Sequence, residues 1–502
     1  MMPSLLLYKP SPARRPFASL DAPRPGTGSR RRARVIARLG AGLARGATLL
    51  AAAALLAPAG PAQAQSRQPG IIRDAEIETL MRDYTRPIFK AAGLQQQNIQ
   101  VVLVGSDSFN AFVADGRRIF INTGALKQAK VPNEIIGVLA HETGHIAGGH
   151  LANMRQQLET AQTASIVAML LAAGGVAAGA ASGANMGGAA AGAVMAPQEV
   201  IRRTLLSYQR GQEASADQAA VKYLTATKQS AKGMLTTFER FQNDQMFLSQ
   251  RIDPYVLSHP MATERIALLT EMAKKSPYYD AKDSPALQAR HDMMRAKLVG
   301  FTQPPDTVSR TYPRSDNSMP ARYARAISGY RFGSIPDALN QIDSLIAEEP
   351  NNPYFYELKG QALLEAGRAR EAVPPLRRAV ALSDGNPLIR MLLGQALVAN
   401  EDKASMDEAV RELTFSLQRE PSSPAGWRYL AMAYGRKGDI PNADLASAQA
   451  AYMSGDFRLS RELATRARNG FKLGTPGWLK ADDIVNYKPP VDRNARSKKA
   501  GP

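Results

Sequence analysis

His141-Glu142-Thr143-Gly144-His145 is the stretch that decides how this 502-residue chain folds and what chemistry it can carry. Residues four apart on a helix share a face, so both imidazoles can grip one metal ion. Glu142 stands one step round from the first histidine, where a carboxylate can take a proton from water activated by that metal. The run before it, Asn133-Glu134-Ile135-Ile136-Gly137-Val138-Leu139-Ala140, suits a buried helix with Asn133 as its cap after Pro132. Histidine is scarce, five in the chain, and His141, His145 and His150 fall within ten positions. His150 lies beyond the i+4 step, which makes it a neighbour of the pair or a surface residue rather than a ligand. His291 has no motif around it. The competing reading, two histidines merely satisfied on a helix, stands until a third ligand is found.

Zinc in a catalytic site usually takes three protein ligands and leaves the fourth position to water. Downstream, the alanine-rich stretch from Tyr208 to Ala220 reads as a second helix. It carries Glu213 and Asp217 at i and i+4, on one face. Glu213 is the candidate third ligand. Asp217, one turn on, can hydrogen-bond His141 or His145, or assist the transition state. The bland alternative pairs both acids with Arg210 or Lys222 on a solvated face.

With these two helices in this order, the chain resembles the gluzincin zinc peptidases of the HtpX and CAAX-prenyl-protease type. Those enzymes combine His-Glu-x-x-His with a downstream Glu-x-x-x-Asp helix. Asn110 to Gly124 looks like the family's β-hairpin leading into the active-site helix, and Ser258-His259-Pro260-Met261-Ala262-Thr263-Glu264-Arg265-Ile266 is similar to its His-Pro segment. With the repeats described below, the resemblance runs from about Asp74 to Asp483 and points to the periplasmic subgroup. It implies that His141, His145 and Glu213 hold one zinc ion per chain and that Glu142 is the general base. Zinc would polarise the scissile carbonyl, and Glu142 would carry the proton to the leaving amine. The resemblance gives Asp217 a supporting or proton-donating role. It makes His259 a latch that fills the metal's open position, against the plain alternative that a histidine before Pro260 orders a loop.

Arg118-Ile119-Phe120-Ile121-Asn122 alternates polar and apolar residues weakly, and Asp115-Gly116 is a turn signal. An exposed strand edge beside the metal lets a loosely folded substrate add as an extended strand. Ile119, Phe120, Ile121 and Asn122 are expected to offer that edge.

Cysteine is absent, which excludes disulfides, thiolate ligands and a lipid-modified cysteine. Residues 1–64 read as a secretory signal peptide. Arg30-Arg31-Arg32 and Arg34 precede an apolar run from Ala47 to Ala57, and Ala62-Gln63-Ala64 supplies the cleavage site. The basic region is long, as if Met1 lay upstream of the true start. The continuous apolar core argues against the rival reading, a mitochondrial presequence. The leader holds ten basic residues and one acidic, so the formal charge of +19 falls to about +10 in the mature chain. That balance suits an anionic membrane surface or polar loops of envelope proteins, and no nucleic-acid motif is present.

From Thr160 to Gln198 there is no charge at all. Alanine and glycine gain little from lipid, so 160–198 is expected to be a helical lid or a segment resting on the membrane surface, the alternative being a span.

The last third is a repeat array. Ala326, Gly360 and Gly394 recur every 34 residues and Ala431 follows 37 later, the difference being an insertion near Asn400 to Met406. Ala338, Ala372, Ala409 and Ala443 match in the second helices, and Pro320, Pro353, Pro387 and Pro424 mark the starts. Four tetratricopeptide hairpins from about Pro320 to Gly455 follow, stacked on small residues. Gly474 to Leu479 is read as a cap on the array, and Arg493 to Pro502 as disordered.

The expected architecture is mainly α: a gluzincin-type metallopeptidase domain with a small β-hairpin or sheet (65–300), a linker (301–319), a tetratricopeptide α-solenoid (320–470) and a tail (471–502). The resemblance implies a periplasmic zinc endopeptidase acting on unfolded or misassembled outer-membrane proteins. Its array would contact them or the outer-membrane assembly machinery, with peripheral membrane contact. A non-proteolytic chaperone or adaptor is the alternative, and a membrane-integral peptidase the third reading.

Overall fold

The computed structural model describes residues 70–160, 187–247, 259–260 and 263–488. The expected leader, most of the uncharged segment (161–186), Ser258, Met261 and Ala262 of the His-Pro segment, and Arg493 to Pro502 lie outside the described residues. All that is described falls in one compact unit. It is mainly helical, with one small sheet. Among the described residues no helix is long and apolar enough to cross a membrane.

Four strands, β1 (Ile71–Ile72), β2 (Gln100–Val104), β3 (Ala111–Asp115) and β4 (Arg118–Asn122), form a sheet in the order β1-β2-β4-β3. β2 runs parallel to β4, pairing Val101 with Ile119 and Leu103 with Ile121. β3 is antiparallel to β4, pairing Phe112 with Phe120, with a bulge between Val113 and Asp115. Ile119, Ile121 and Leu103 are buried on the core face, whereas Phe112 and Phe120 stack with centroids 5.2 Å apart. The hairpin is where the sequence places it, but the expected substrate edge is not. β4 has a strand on each side, so Ile119, Phe120, Ile121 and Asn122 have no free edge to offer. Alternation gives the two faces of a strand and says nothing of its neighbours. Among the described strands the outer positions belong to β1 and β3, and β3 is the longer.

Helix α1 (Ala75–Ala91) is capped by Asp74, whose side chain accepts the Ile77 N–H. After the short α2 (Thr123–Gln128) comes α3 (Pro132–Ala147), whose first thirteen residues, Pro132 to Gly144, are buried. Pro132 is its first residue, so Asn133 lies inside the helix rather than capping it as expected. Asn133 instead ties α3 to the helix that follows Ser230: its Nδ2 donates to Ser230 O at 2.7 Å and its Oδ1 accepts the Gly233 N–H at 2.8 Å. A buried helix start must still satisfy its N–H groups. Asp283 does so from 150 residues away, accepting the Asn133 N–H at 2.9 Å.

Two close crossings then set the site. α4 (Gly187–Ala226) passes α3 where a Cβ on Gly144 would lie 2.9 Å from Ala216 O. α5 (Lys232–Phe247) passes where a Cβ on Gly137 would lie 2.6 Å from Met234 Cβ. α6 (Thr263–Lys274), α7 (Pro285–Thr302) and α8 (Pro305–Thr311) complete this part. His291 of α7 is fully buried, with Nδ1 2.9 Å from Tyr84 Oη and Nε2 3.0 Å from Ala129 O, so it serves packing between α1, α2 and α7.

The helix pairs of the array begin at Met319, Pro353, Pro387 and Pro424, and their small residues act as spacers. A Cβ on Gly360 or Gly394 would lie 2.4 Å from Leu376 Cγ or 2.5 Å from Leu413 Cγ. The insertion in the third unit forms a 3-10 turn, Lys403–Ser405. A fifth pair follows the four expected ones: Phe457–Gly470 packs on Pro476–Asn486 through Ala464, Ala467, Ala481 and Ile484. The reading of 471–502 as tail therefore misses a helix.

Between α7 and the array the chain is packed, with Val308 buried, and one hydrophobic core runs from Ile72 to Ala446. A buried polar cluster sits in that contact. Lys297 Nζ lies 2.8 Å from Asp74 Oδ2, 3.2 Å from Glu76 Oε2 and 3.6 Å from Glu357 Oε2, while the Tyr323 hydroxyl donates to Glu76 at 3.0 Å. Arg73 reaches Glu420 at 2.7 Å.

Candidate metal centre

α3 brings His141, Glu142 and His145 to the crossing with α4, which supplies Glu213 and Asp217; His259 enters from the segment before α6. His141 Nε2 lies 3.0 Å from His145 Nε2 and 3.4 Å from His259 Nδ1. The Glu213 carboxylate is 3.4 Å from both His141 Nε2 and His145 Nε2, and 3.0 Å from His259 Nδ1. One donor atom from each of these four residues falls within 4.8 Å of the others. Tetrahedral zinc with ~2.0–2.1 Å ligand bonds needs donors roughly 3.3 Å apart, so the residues present fit such an ion. Glu142 Oε1 is buried, has no hydrogen-bond partner among the described residues and lies 3.5 Å from His259 Nε2.

Behind the ligands stands a second layer. Asp217 Oδ1 is 2.9 Å from His141 Nδ1, and Arg265 donates to both Asp217 oxygens, at 2.6 and 2.8 Å. Arg265 Nη1 also meets Glu213 at 2.8 Å, and its guanidinium rests 5.0 Å from the centre of the Phe238 ring. His150 faces His145, Nδ1 to Nδ1, at 3.0 Å.

Electrostatics follow from burial and these partners. Burial works against a charge on His141, but Asp217 and Glu213 outweigh it and raise its pKa to about 9. Burial and the neighbouring His141 lower His145 to about 2. Burial raises Glu142 above the usual carboxylate range, with His259 and His141 opposing. Burial would raise Glu213 and Asp217 too, but hydrogen bonds hold both below that range: His141 and His259 for the first, Arg265 and His141 for the second.

The structure thus gathers His141, His145, Glu213, Glu142, Asp217 and His259 and leaves Ile119 to Asn122 inside the sheet. Both Asp217 oxygens are engaged by Arg265 and His141, which fits a supporting role rather than proton donation. The acids pair with neither Arg210 nor Lys222 but with Arg265. Arg265 and Phe238 were not singled out from sequence. Arg265 lies within the His-Pro segment, so its place in that segment was the available signal; Phe238 carried none.

Two histidines of one helix and a glutamate of the next form a group that could hold a metal ion, and residues 72–273, which contain them, match peptidase family M48. The chain is 23% identical over 380 residues to the Beta-barrel assembly-enhancing protease of Yersinia pestis, covering 74% of this chain and 75% of that protein. The protein of the same name from Escherichia coli K12 gives the same figures. A Putative beta-barrel assembly-enhancing protease of Vibrio cholerae is 22% identical over 434 residues, 84% of this chain and 86% of that one.

Proposed function

We propose that the chain is a zinc-dependent endopeptidase of the periplasm that hydrolyses misfolded or misassembled envelope proteins, outer-membrane proteins above all. The observation that carries this reading is the convergence of His141, His145 and Glu213 beside a buried Glu142. These three residues would hold the ion. Zinc, when bound, supplies a Lewis acid that acidifies water and polarises a carbonyl. Glu142 takes the proton of the attacking water and returns it to the leaving amine, a task suited to a carboxyl raised by burial. Asp217 holds the His141 ring in place from behind.

β3 packs against α3 and presents the substrate edge. Asn122 N–H donates to Asn110 O at 2.9 Å, so alternation turns the peptide groups of Ala111 and Val113 outward, where an extended substrate can pair. The tetratricopeptide array (320–470, joined to 65–300 through 301–319) binds substrate or the outer-membrane assembly machinery. The names of the relatives support a part in β-barrel assembly, and the expected leader (1–64) supports the periplasmic setting.

His259 supports a second reading. Its Nδ1 occupies the fourth corner of the ligand cluster, where water or substrate must enter. In that latched state the protein escorts assembly without cleaving. The test is cleavage of casein or an unfolded outer-membrane protein by wild type, Glu142→Gln and His259→Ala, with bound zinc measured. A latched protease gives about one zinc per chain, cleavage abolished by Glu142→Gln and raised by His259→Ala. Zinc retained without cleavage by any variant leaves the chaperone or adaptor reading.

A further inference from the structure

α3 ends at Ala147, and the next residues fold back. Gly148 closes the helix, Gly149 adopts φ +61°, and the chain is helical again over residues 150–160. This turn returns the His150 ring over His145: the two rings stand nearly perpendicular, 84° apart, with Nδ1 to Nδ1 at 3.0 Å. Both glycines suit it. A Cβ on Gly148 would lie 2.3 Å from His150 Nε2, and a positive φ at position 149 favours glycine. Gln212, the residue before Glu213, donates from Nε2 to His150 O at 3.0 Å and ties the turn to α4. His150 and Gln212 are both 8% exposed.

A histidine that offers Nε2 to a metal carries its proton on Nδ1, and that N–H needs an acceptor which fixes the tautomer and the ring. His141 has the Asp217 carboxylate. His145 has only an imidazole within hydrogen-bonding distance of its Nδ1 among the described partners.

We propose that His150 is a positioning residue of the metal centre, accepting the Nδ1–H of His145 at its own Nδ1 and thereby aiming His145 Nε2 at the ion. The proposal rests on the metal-centre reading above. It makes the two histidine ligands unequal, one backed by an anion and the other by a neutral ring, and it gives the Gly148-Gly149-His150 turn a chemical purpose.

The test uses the full mature chain with ¹⁵N-labelled histidine, only five of which must be assigned. In the metal-free wild type, His145 should show Nδ1–H and His150 a bare Nδ1; the reverse tautomers overturn the proposal without any variant. Zinc affinity is then measured by competition with a chelator. His150→Leu should bind zinc roughly tenfold or more weakly, the usual effect of losing such a partner. His150→Asn should recover most of it, because its Oδ1 falls where Nδ1 was. Equal affinity in His150→Leu, or no recovery in His150→Asn, sinks the idea. A wild type that takes up no zinc removes the metal-centre reading itself, and the proposal with it.

Discussion

Arg265 places one guanidinium against two acids a turn apart on α4. Glu213 and Asp217 are nearly buried, so without that cation they face each other with little solvent to screen them. A bound divalent ion would neutralise Glu213 and take over part of the task. Arg265→Met should therefore destabilise the metal-free protein by about 3–5 kcal/mol, the usual cost of leaving buried charge unpaired, and by clearly less at saturating zinc. Urea unfolding with and without the ion checks this, and equal losses in the two states would contradict it. The histidines and acids of the centre were legible because i and i+4 spacing on a helix is a local signal. Arg265 was not, since its partner Asp217 lies 48 residues upstream and no periodicity links them.

α3 shows the same limit for whole elements. Its apolar run declares a buried helix, but what it packs against depends on two glycines that only the structure explains. At Gly137 an alanine would gain about 1 kcal/mol of helix propensity. It would also drive a methyl into Met234, backbone included, since Met234 Cα is 3.0 Å away. Gly137→Ala should thus lower stability by about 1–3 kcal/mol, read as a drop in Tm. A higher Tm would mean that α3 and α5 can part freely. Within the sheet, alternation identified β4 yet not its place between two strands, and β2 went unread. The array was legible through its 34-residue recurrence. Its fifth pair was not, because the helix opens at Phe457 without the proline that marks the other starts.

At the scale of the molecule, the contact between peptidase and array is built on charge as well as apolar packing. Lys297 meets three carboxyls, Asp74, Glu76 and Glu357, with the Tyr323 phenol beside them. Burial pushes Glu357 up to about 8, against the pull of Lys297. The folded protein therefore binds a proton there that the unfolded chain, with an ordinary carboxyl near 4.5, releases. Its contribution is complete below that ordinary value and is lost as pH rises through about 8. Glu357→Gln should make Tm fall less between pH 6 and pH 8.5 than it does in wild type. An identical fall in both would show that Glu357 stays ionised throughout.

The same contact bears on the order in which the molecule can be made. Glu76 and its partner Tyr323 are 247 residues apart, and Arg73 must wait still longer for Glu420. The first of the described residues thus complete their contacts only when most of the array has been synthesised. Such distant pairings slow folding and leave unfinished surfaces open meanwhile. A nascent chain cut short before the third repeat would hold Lys297, Tyr323 and Glu357 and still lack Glu420, the partner of Arg73. The tie between the start of the chain's described part and the third repeat would then close last, after the Lys297 cluster is already in place.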